Sequence, residues 1–288
     1  MASQQHVTAA SSKLAKLIHF RQYYPERVLR VGVTDWRYRV LGNASQTLLA
    51  IPGGELVNDL GFEFALAICD SCRVIYPAYP SVSSLEEIAD GLNAILDAEH
   101  NDSTAILGAS FGGSVAQVFV RRYPQRVNAL ILSNTGVPIS YLAPAVRFFA
   151  WIAQAFPWTL TRKLLRGPLL KTVDQENADT AFWTDYLNEL FAARLKKSDV
   201  MANFRIQLDY HQRFRFKPED LQQWPGRVLI AESDNDVIGP ARRRRLRETY
   251  PTAKVHAYHA AGHAPMFARF DEYLAMVKDF LGSKEPVQ

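Results

Sequence analysis

Apolar positions along the chain follow two alternating periods. Short apolar runs bounded by turn residues predict strands: "TLLAI" (Thr47 to Ile51), "RVIYP" (Arg73 to Pro77), "TAILG" (Thr104 to Gly108), "RVNALILSN" (Arg126 to Asn134) and "RVLIAES" (Arg227 to Ser233). "RVLRVGV" and "WRYRVLG" precede them and "AKVHAYHA" follows, all with strand character. Between the runs the spacing becomes helical. In "SLEEIADGLNAILDAEH" (Ser84 to His100), Leu85, Ile88, Leu92 and Ile95 fall on one face, and Ser84 with Glu87 forms a capping box. A second helix opens at Ser110, and "PMFARFDEYLAMVKDFL" predicts a last one. Strands alternating with helices predict βαβ units and a mostly parallel sheet.

The alternation stops between Asn134 and about Gln222, where the chain turns helical, rich in aromatics and interrupted by Pro144, Pro157 and Pro168. An insertion of this kind suits a cap that packs one face on itself and another over a pocket, most of its aromatics forming its own core. The expected organisation is a polar N-terminal arm over residues 1–26 and a first core segment over 27–138. A helical cap follows over 139–222, and a second core segment over 223–288. No internal repeat is evident.

A chain of 288 residues that is 48% hydrophobic can bury a large core, which excludes a disordered or fibrous class. The net charge of +4 and pI near 9.0 are modestly basic. The one dense basic run, "ARRRRLRETY" (Ala241 to Tyr250), reads as a solvated helix face, so no nucleic-acid partner is expected. Cys69 and Cys72 form a C-x-x-C pair without a second pair to complete a zinc site, and lie between a helix end and a strand rather than at a helix N-terminus. Their spacing reads as fortuitous. With no apolar run near the N-terminus and two cysteines in all, a reducing, cytoplasmic setting is expected. No uncharged run is long enough to span a membrane. "FPWTLTRKLLRGPLLK" (Phe156 to Lys171) mixes apolar and basic residues as an interfacial helix does, but Gly167 and Pro168 interrupt it, and a cap helix accounts for it equally.

Gly108-Ala109-Ser110-Phe111-Gly112 fits G-x-S-x-G between a strand and a helix. A serine at such a turn sits in strained backbone, and the residues two places either side must lack bulk for strand and helix to approach. Its hydroxyl stands at a helix N-terminus, where amides and dipole favour developing negative charge, and becomes a nucleophile only if a base is near. His263, in "HAAGHAPMF" after the last strand, is the candidate base. His256 and His259 lack the spacing of a two-histidine metal site, and no metal is expected. The acid comes from "RVLIAESDNDVIGP", with Asp236 preferred and Asp234 the alternative.

Nucleophile, acid and histidine in that order, with an insertion between the first two, resemble the α/β-hydrolase superfamily over nearly the whole chain after the arm. "LGASFGGSVAQ" followed by "RVNALILSN" is similar, more loosely, to the maspardin-like branch, which includes members described as adaptors. The resemblance implies an α/β-hydrolase fold: a mostly parallel central sheet flanked by helices, with a helical cap inserted after the sixth strand. It implies catalysis by Ser110, Asp236 and His263 with no cofactor. Where many relatives carry His-Gly in the loop supplying half the oxyanion hole, this chain reads Ile51-Pro52-Gly53-Gly54-Glu55. The hole is expected at the amides of Phe111 and Gly54, and Glu55 beside an oxyanion would be unfavourable unless it turned away.

The expected activity is hydrolysis of a small-molecule carboxylic ester of modest size and apolar character through an acyl-serine. C–C, amide and perhydrolytic chemistry with the same residues remain open, as does a non-catalytic scaffold that binds a protein partner.

Overall fold

A computed structural model describes residues 2–175 and 178–283. Residue 1 of the expected arm, residues 176–177 of the expected cap and residues 284–288 of the second core segment lie outside the described residues.

Eight strands form one sheet in the order β1-β2-β4-β3-β5-β6-β7-β8. The strands are β1 (Arg27–Val31), β2 (Thr34–Leu41), β3 (Thr47–Ile51), β4 (Arg73–Pro77), β5 (Thr104–Ala109), β6 (Val127–Ser133), β7 (Arg227–Ser233) and β8 (Lys254–Tyr258). β2 is antiparallel to both neighbours, and every other pairing is parallel. β1 stops two residues before the predicted run ends, because Gly32 takes φ 60° and turns the chain directly into β2.

The central strands are buried along nearly their whole length, as parallel strands covered on both faces must be. The cover comes from α2 (Phe62–Ile68), α3 (Leu85–Ala98), α4 (Phe111–Arg122), α9 (Pro240–Thr249) and α11 (Phe270–Gly282), with the short α10 (Pro265–Ala268) before the last of these. On α3 the predicted face of Leu85, Ile88, Leu92 and Ile95 is buried, each side chain contributing about 1.5–3 kcal/mol. The Ser84 hydroxyl accepts from the Glu87 amide at 3.1 Å. Glu87 reaches back one residue further than a capping box requires, to the Ser83 amide at 2.9 Å.

The segment expected as an arm is a helix, α1 (Ala2–Tyr23), and its Leu17 and Phe20 are buried in the core. The cysteines stand where expected: Cys69 caps the end of α2, and Cys72 directly precedes β4. Both thiols are free, and burial pushes that of Cys72 up to about 12, which keeps it unreactive.

Between β6 and β7 lie α5 (Ala143–Ala155), α6 (Trp158–Val173), α7 (Thr180–Glu189) and α8 (Lys197–Arg213). α6 runs unbroken through Gly167 and Pro168, contrary to the interruption expected there. A proline inside a helix removes one donor, and here the surrounding packing holds the remaining turns. Trp183, Tyr186, Phe191 and Tyr210 form the core of this layer, whereas Phe148, Phe149 and Trp151 on α5 are exposed. Among the described residues no helix is long and apolar enough to cross a membrane.

Gly91 sits mid-helix in α3, where a Cβ would stand 2.0 Å from the Trp36 ring. Gly91→Ala is therefore expected to destabilise the fold by about 1–3 kcal/mol despite its better helix propensity. The measurement is the urea midpoint, which an alanine accommodated without strain would raise.

Candidate active site

Parallel register brings the carboxyl ends of β3, β5, β6, β7 and β8 to one edge of the sheet, Ile51 lying beside Gly108 and Ala109 beside Ser133. Ser110 follows β5 at the tip of the turn into α4, with φ 51° and ψ −117°, a conformation that costs a non-glycine residue of order 1–3 kcal/mol. Its neighbours hold it there. The Ser110 amide donates to the Ser133 carbonyl at 3.0 Å, and the Thr135 hydroxyl donates to the Ser110 carbonyl at 2.8 Å. The motif glycines leave no clearance: a Cβ on Gly108 would lie 2.4 Å from the Gly112 carbonyl oxygen, and one on Gly112 would lie 2.5 Å from those of Ile51 and Pro52.

Three side chains named from the sequence meet at this edge. Ser110 Oγ lies 2.9 Å from His263 Nε2, and His263 Nδ1 lies 2.6 Å from Asp236 Oδ1. The carboxylate of Asp236 is sealed from solvent. Burial alone would raise its pKa, but the hydrogen bond and charge of His263, with donors from the Ile238 amide and the Asn134 side chain, hold it below the ordinary value. Asp234, the alternative, faces elsewhere: it pairs with the exposed His259 at 2.6 Å and accepts from the Ala260 amide. His256 pairs with Glu272. Among the described residues no cluster of three or more metal-ligating side chains occurs.

Sequence reasoning missed the supports around this chain. Asn134, just past β6 at φ 44°, donates to Asp236 Oδ2 at 2.8 Å and to the Gly262 carbonyl at 3.2 Å, so it orients the acid and the histidine loop together. The Asn235 side chain accepts from the Gly262 amide at 2.7 Å and ties the same two loops a second time. An asparagine directly after a central strand, where the backbone favours the left-handed region, was the available signal. Tyr79 braces the loop after β3, donating to the Pro52 carbonyl at 2.9 Å.

The Gly54 loop and Ser110 line one cavity of about 360 Å³ beneath the inserted helices. Phe111 supplies the first amide of α4, a donor with no intrahelical acceptor. Leu165 and Leu169 of α6, Phe191, Leu195, Met266 and Phe267 make the walls apolar, with Asn203 and Gln207 of α8 as polar points. No lysine or arginine lines the cavity among the described residues.

Glu55 does line it. Its side chain folds back so that Oε1 accepts from the Gly53 amide at 2.9 Å. Burial pushes its carboxyl above the ordinary value, only partly offset by its own amide, the Gly53 amide and the charge of His263. An acid whose pKa is raised by folding loses stability as pH climbs from its unfolded to its folded value. Glu55→Gln is thus expected to raise the melting temperature at neutral pH, with the gain vanishing at acid pH, where the carboxyl is protonated in both states. Parallel melting curves across pH in the two proteins would contradict this.

Comparison with known proteins agrees with the fold. A 2-hydroxy-6-oxononadienedioate/2-hydroxy-6-oxononatrienedioate hydrolase 1 from Dechloromonas aromatica (strain RCB) is 26% identical over 230 residues, covering 77% of this chain and 76% of that protein. Maspardin from Homo sapiens is 25% identical over 233 residues, covering 78% of this chain and 71% of its own. The crystal structure of an α/β hydrolase enzyme from a Medee basin deep-sea metagenome library superposes with a TM-score of 0.75 at 16% identity, over 90% of this chain and 98% of that one. The family described as serine aminopeptidase, S33, matches residues 80–269, from the end of the β4 loop through the Ser110 turn and the inserted helices to the His263 loop. With that span and this sheet, the chain belongs to the serine aminopeptidase S33 family of the α/β-hydrolase superfamily.

Proposed function

We propose that the protein is a serine hydrolase that cleaves an apolar carboxylic ester of modest size, with Ser110, His263 and Asp236 as its catalytic residues. The observation that carries this reading is the continuous hydrogen-bonded chain from Ser110 Oγ through both nitrogens of His263 to a sealed carboxylate. A scaffold that only bound a partner would have no need of that alignment.

In the proposed cycle His263 Nε2 takes the Ser110 proton as Oγ attacks the ester carbonyl, and Asp236 holds the ring orientation and stabilises the imidazolium. The tetrahedral oxyanion forms against the amides of Phe111 and Gly54. Its collapse expels the alcohol, which takes the proton from His263 and leaves an acyl-serine. Water, deprotonated by the same nitrogen, attacks the acyl carbon, and a second collapse releases the acid and restores Ser110. Removing one oxyanion donor typically costs about 100- to 1000-fold in turnover, so the Gly54 loop matters on the scale of the nucleophile's setting.

The cavity's chemistry supports a neutral, apolar substrate. The Dechloromonas relative is named for a dicarboxylate, and two carboxylates would need cations or many donors to leave water. This cavity offers no cation among the described residues and adds the carboxyl of Glu55. The ester reading therefore stands ahead of C–C hydrolysis of such a dianion.

A fluorophosphonate probe is expected to label the wild type and not Ser110→Ala. On p-nitrophenyl esters of rising acyl length, Asp236→Asn is expected to lower kcat by about 10⁴-fold, with Asp234→Asn close to wild type. No labelling of the wild type would favour the scaffold. Labelling that survives in Ser110→Ala, or equal losses at the two aspartates, would reject the assignment of residues.

A further inference from the structure

Two features of the inserted layer play no part in the proposed chemistry. The first is exposed aromatic surface. On α5 and the turn before it, Tyr141, Phe148, Phe149 and Trp151 are 64%, 56%, 57% and 66% exposed, and Phe148 packs against both Phe149 and Trp151 at 5.8 and 6.3 Å. Phe156 and, on α6, Leu160 and Leu164 are exposed as well. Scattered apolar side chains are ordinary on a surface, but a cluster of stacked aromatics marks a place where something else binds.

The second feature is charge. From Asn134 to Val173 the chain carries Arg147, Arg162, Lys163, Arg166 and Lys171 and no aspartate or glutamate. Among the described residues none of these five cations has a carboxylate partner; Arg166 bonds only the Asn188 amide. Arg162, Lys163 and Arg166 line one groove beside α7 with Asn188. The carboxylates on α7 are Asp185 and Glu189, and Glu189 is already held by Arg21.

Geometry joins the two. Leu165, Pro168, Leu169 and Thr172 turn one side of α6 into the cavity, while Leu160, Lys163, Leu164 and Lys171 lie exposed on the other. A helix whose outer side mixes exposed leucines with lysines has the composition of one that lies in a membrane interface. We infer that the outer face of α5 and α6 docks on the surface of a bilayer containing anionic lipid, the aromatics entering the headgroup boundary and the cations meeting lipid phosphates. Charge decides between occupants. A second copy meeting this face through a twofold axis would set cations that have no carboxylate partner among the described residues against the same cations. An anionic bilayer complements both features at once. Docking needs neither Ser110 nor His263, so it stands or falls apart from the hydrolase reading.

The test is co-sedimentation of the full chain with vesicles of phosphatidylcholine, alone and mixed with phosphatidylserine. The wild type is expected to pellet with the mixed vesicles, and weakly with the neutral ones. Phe148→Ser with Trp151→Ser, and separately Lys163→Glu with Lys171→Glu, are each expected to lower the partition coefficient about tenfold or more. Melting temperatures near wild type check that these exposed substitutions leave the fold intact. Arg244→Glu with Arg245→Glu, on the basic helix α9, is expected to change binding by no more than about twofold, since distant charges are screened. Several outcomes overturn the proposal: no pelleting of the wild type, cap variants that bind like it, or an equal loss in the α9 variant. So does a dimer in light scattering that the Phe148 and Trp151 substitutions dissociate, because the face would then belong to a second copy.

Discussion

Backbone meets backbone where Gly108 and Gly112 face each other across the Ser110 turn, and the geometry of the whole sheet edge depends on that contact. A side chain on either glycine would collide with a carbonyl at 2.4 to 2.5 Å, and for Gly112 the carbonyls are those of Ile51, the last residue of β3, and Pro52 after it. Strand, helix and loop are therefore locked at one point by atoms that cannot rotate away. This rigidity sets the Ser110 hydroxyl against the Gly54 loop with little freedom, as the proposed oxyanion site would require. The strained φ of Ser110 is stored against the same contact, with the Ser133 and Thr135 hydrogen bonds holding it in place.

A second knot joins the layers. Asp59, sealed in the loop after β3, accepts from the Tyr186 hydroxyl at 2.6 Å and from both Arg194 and Arg21. Burial would raise its pKa, yet Arg194, Tyr186 and Arg21 together hold it below the ordinary value. Those partners come from α1, from α7 and from the turn after α7, so one carboxylate gathers the N-terminal helix, the inserted layer and the core. Stripping such a charge of a partner typically costs about 3–5 kcal/mol, because the carboxylate is left buried and unpaired. Leu60, the next residue, lines the cavity, so this knot also fixes part of its wall.

The sheet and the side chains that meet at its edge were legible because both depend on local pattern. Apolar runs such as "TAILG" must be strands when both faces are covered, and a serine between glycines after such a run has few other roles. Asp236 could be preferred over Asp234 but not separated from it, since two residues apart on one loop they differ only in which way the loop turns, and the partners that set it, Asn134 for Asp236 and Gly262 for Asn235, come from distant segments. α1 reads as a polar arm because, among its described side chains, the buried apolar ones are Leu17 and Phe20, set among many polar residues. The orientation of Glu55 was illegible for the same reason: its partner is a backbone amide two residues away, available only once the loop has its shape.

The inserted layer shows why aromatic content alone cannot separate core from surface. α5 and α7 are similarly rich in aromatics, yet Phe182, Trp183 and Tyr186 are buried while Phe148, Phe149 and Trp151 are not. The difference lies in the opposite faces. α7 packs its aromatics toward α1 and the Asp59 knot, with Lys13 lying over the Phe182 and Trp183 rings. α5 meets α8 through small residues, Ala153 among them, and such a face buries without needing the rings. Its large side chains are therefore free to point outward, a costly arrangement in water unless an apolar neighbour covers them. The missing acids on α5 and α6 say what kind of neighbour that is. A surface evolved to face water mixes both signs of charge, whereas one that meets a negative boundary gains from excluding its own carboxylates.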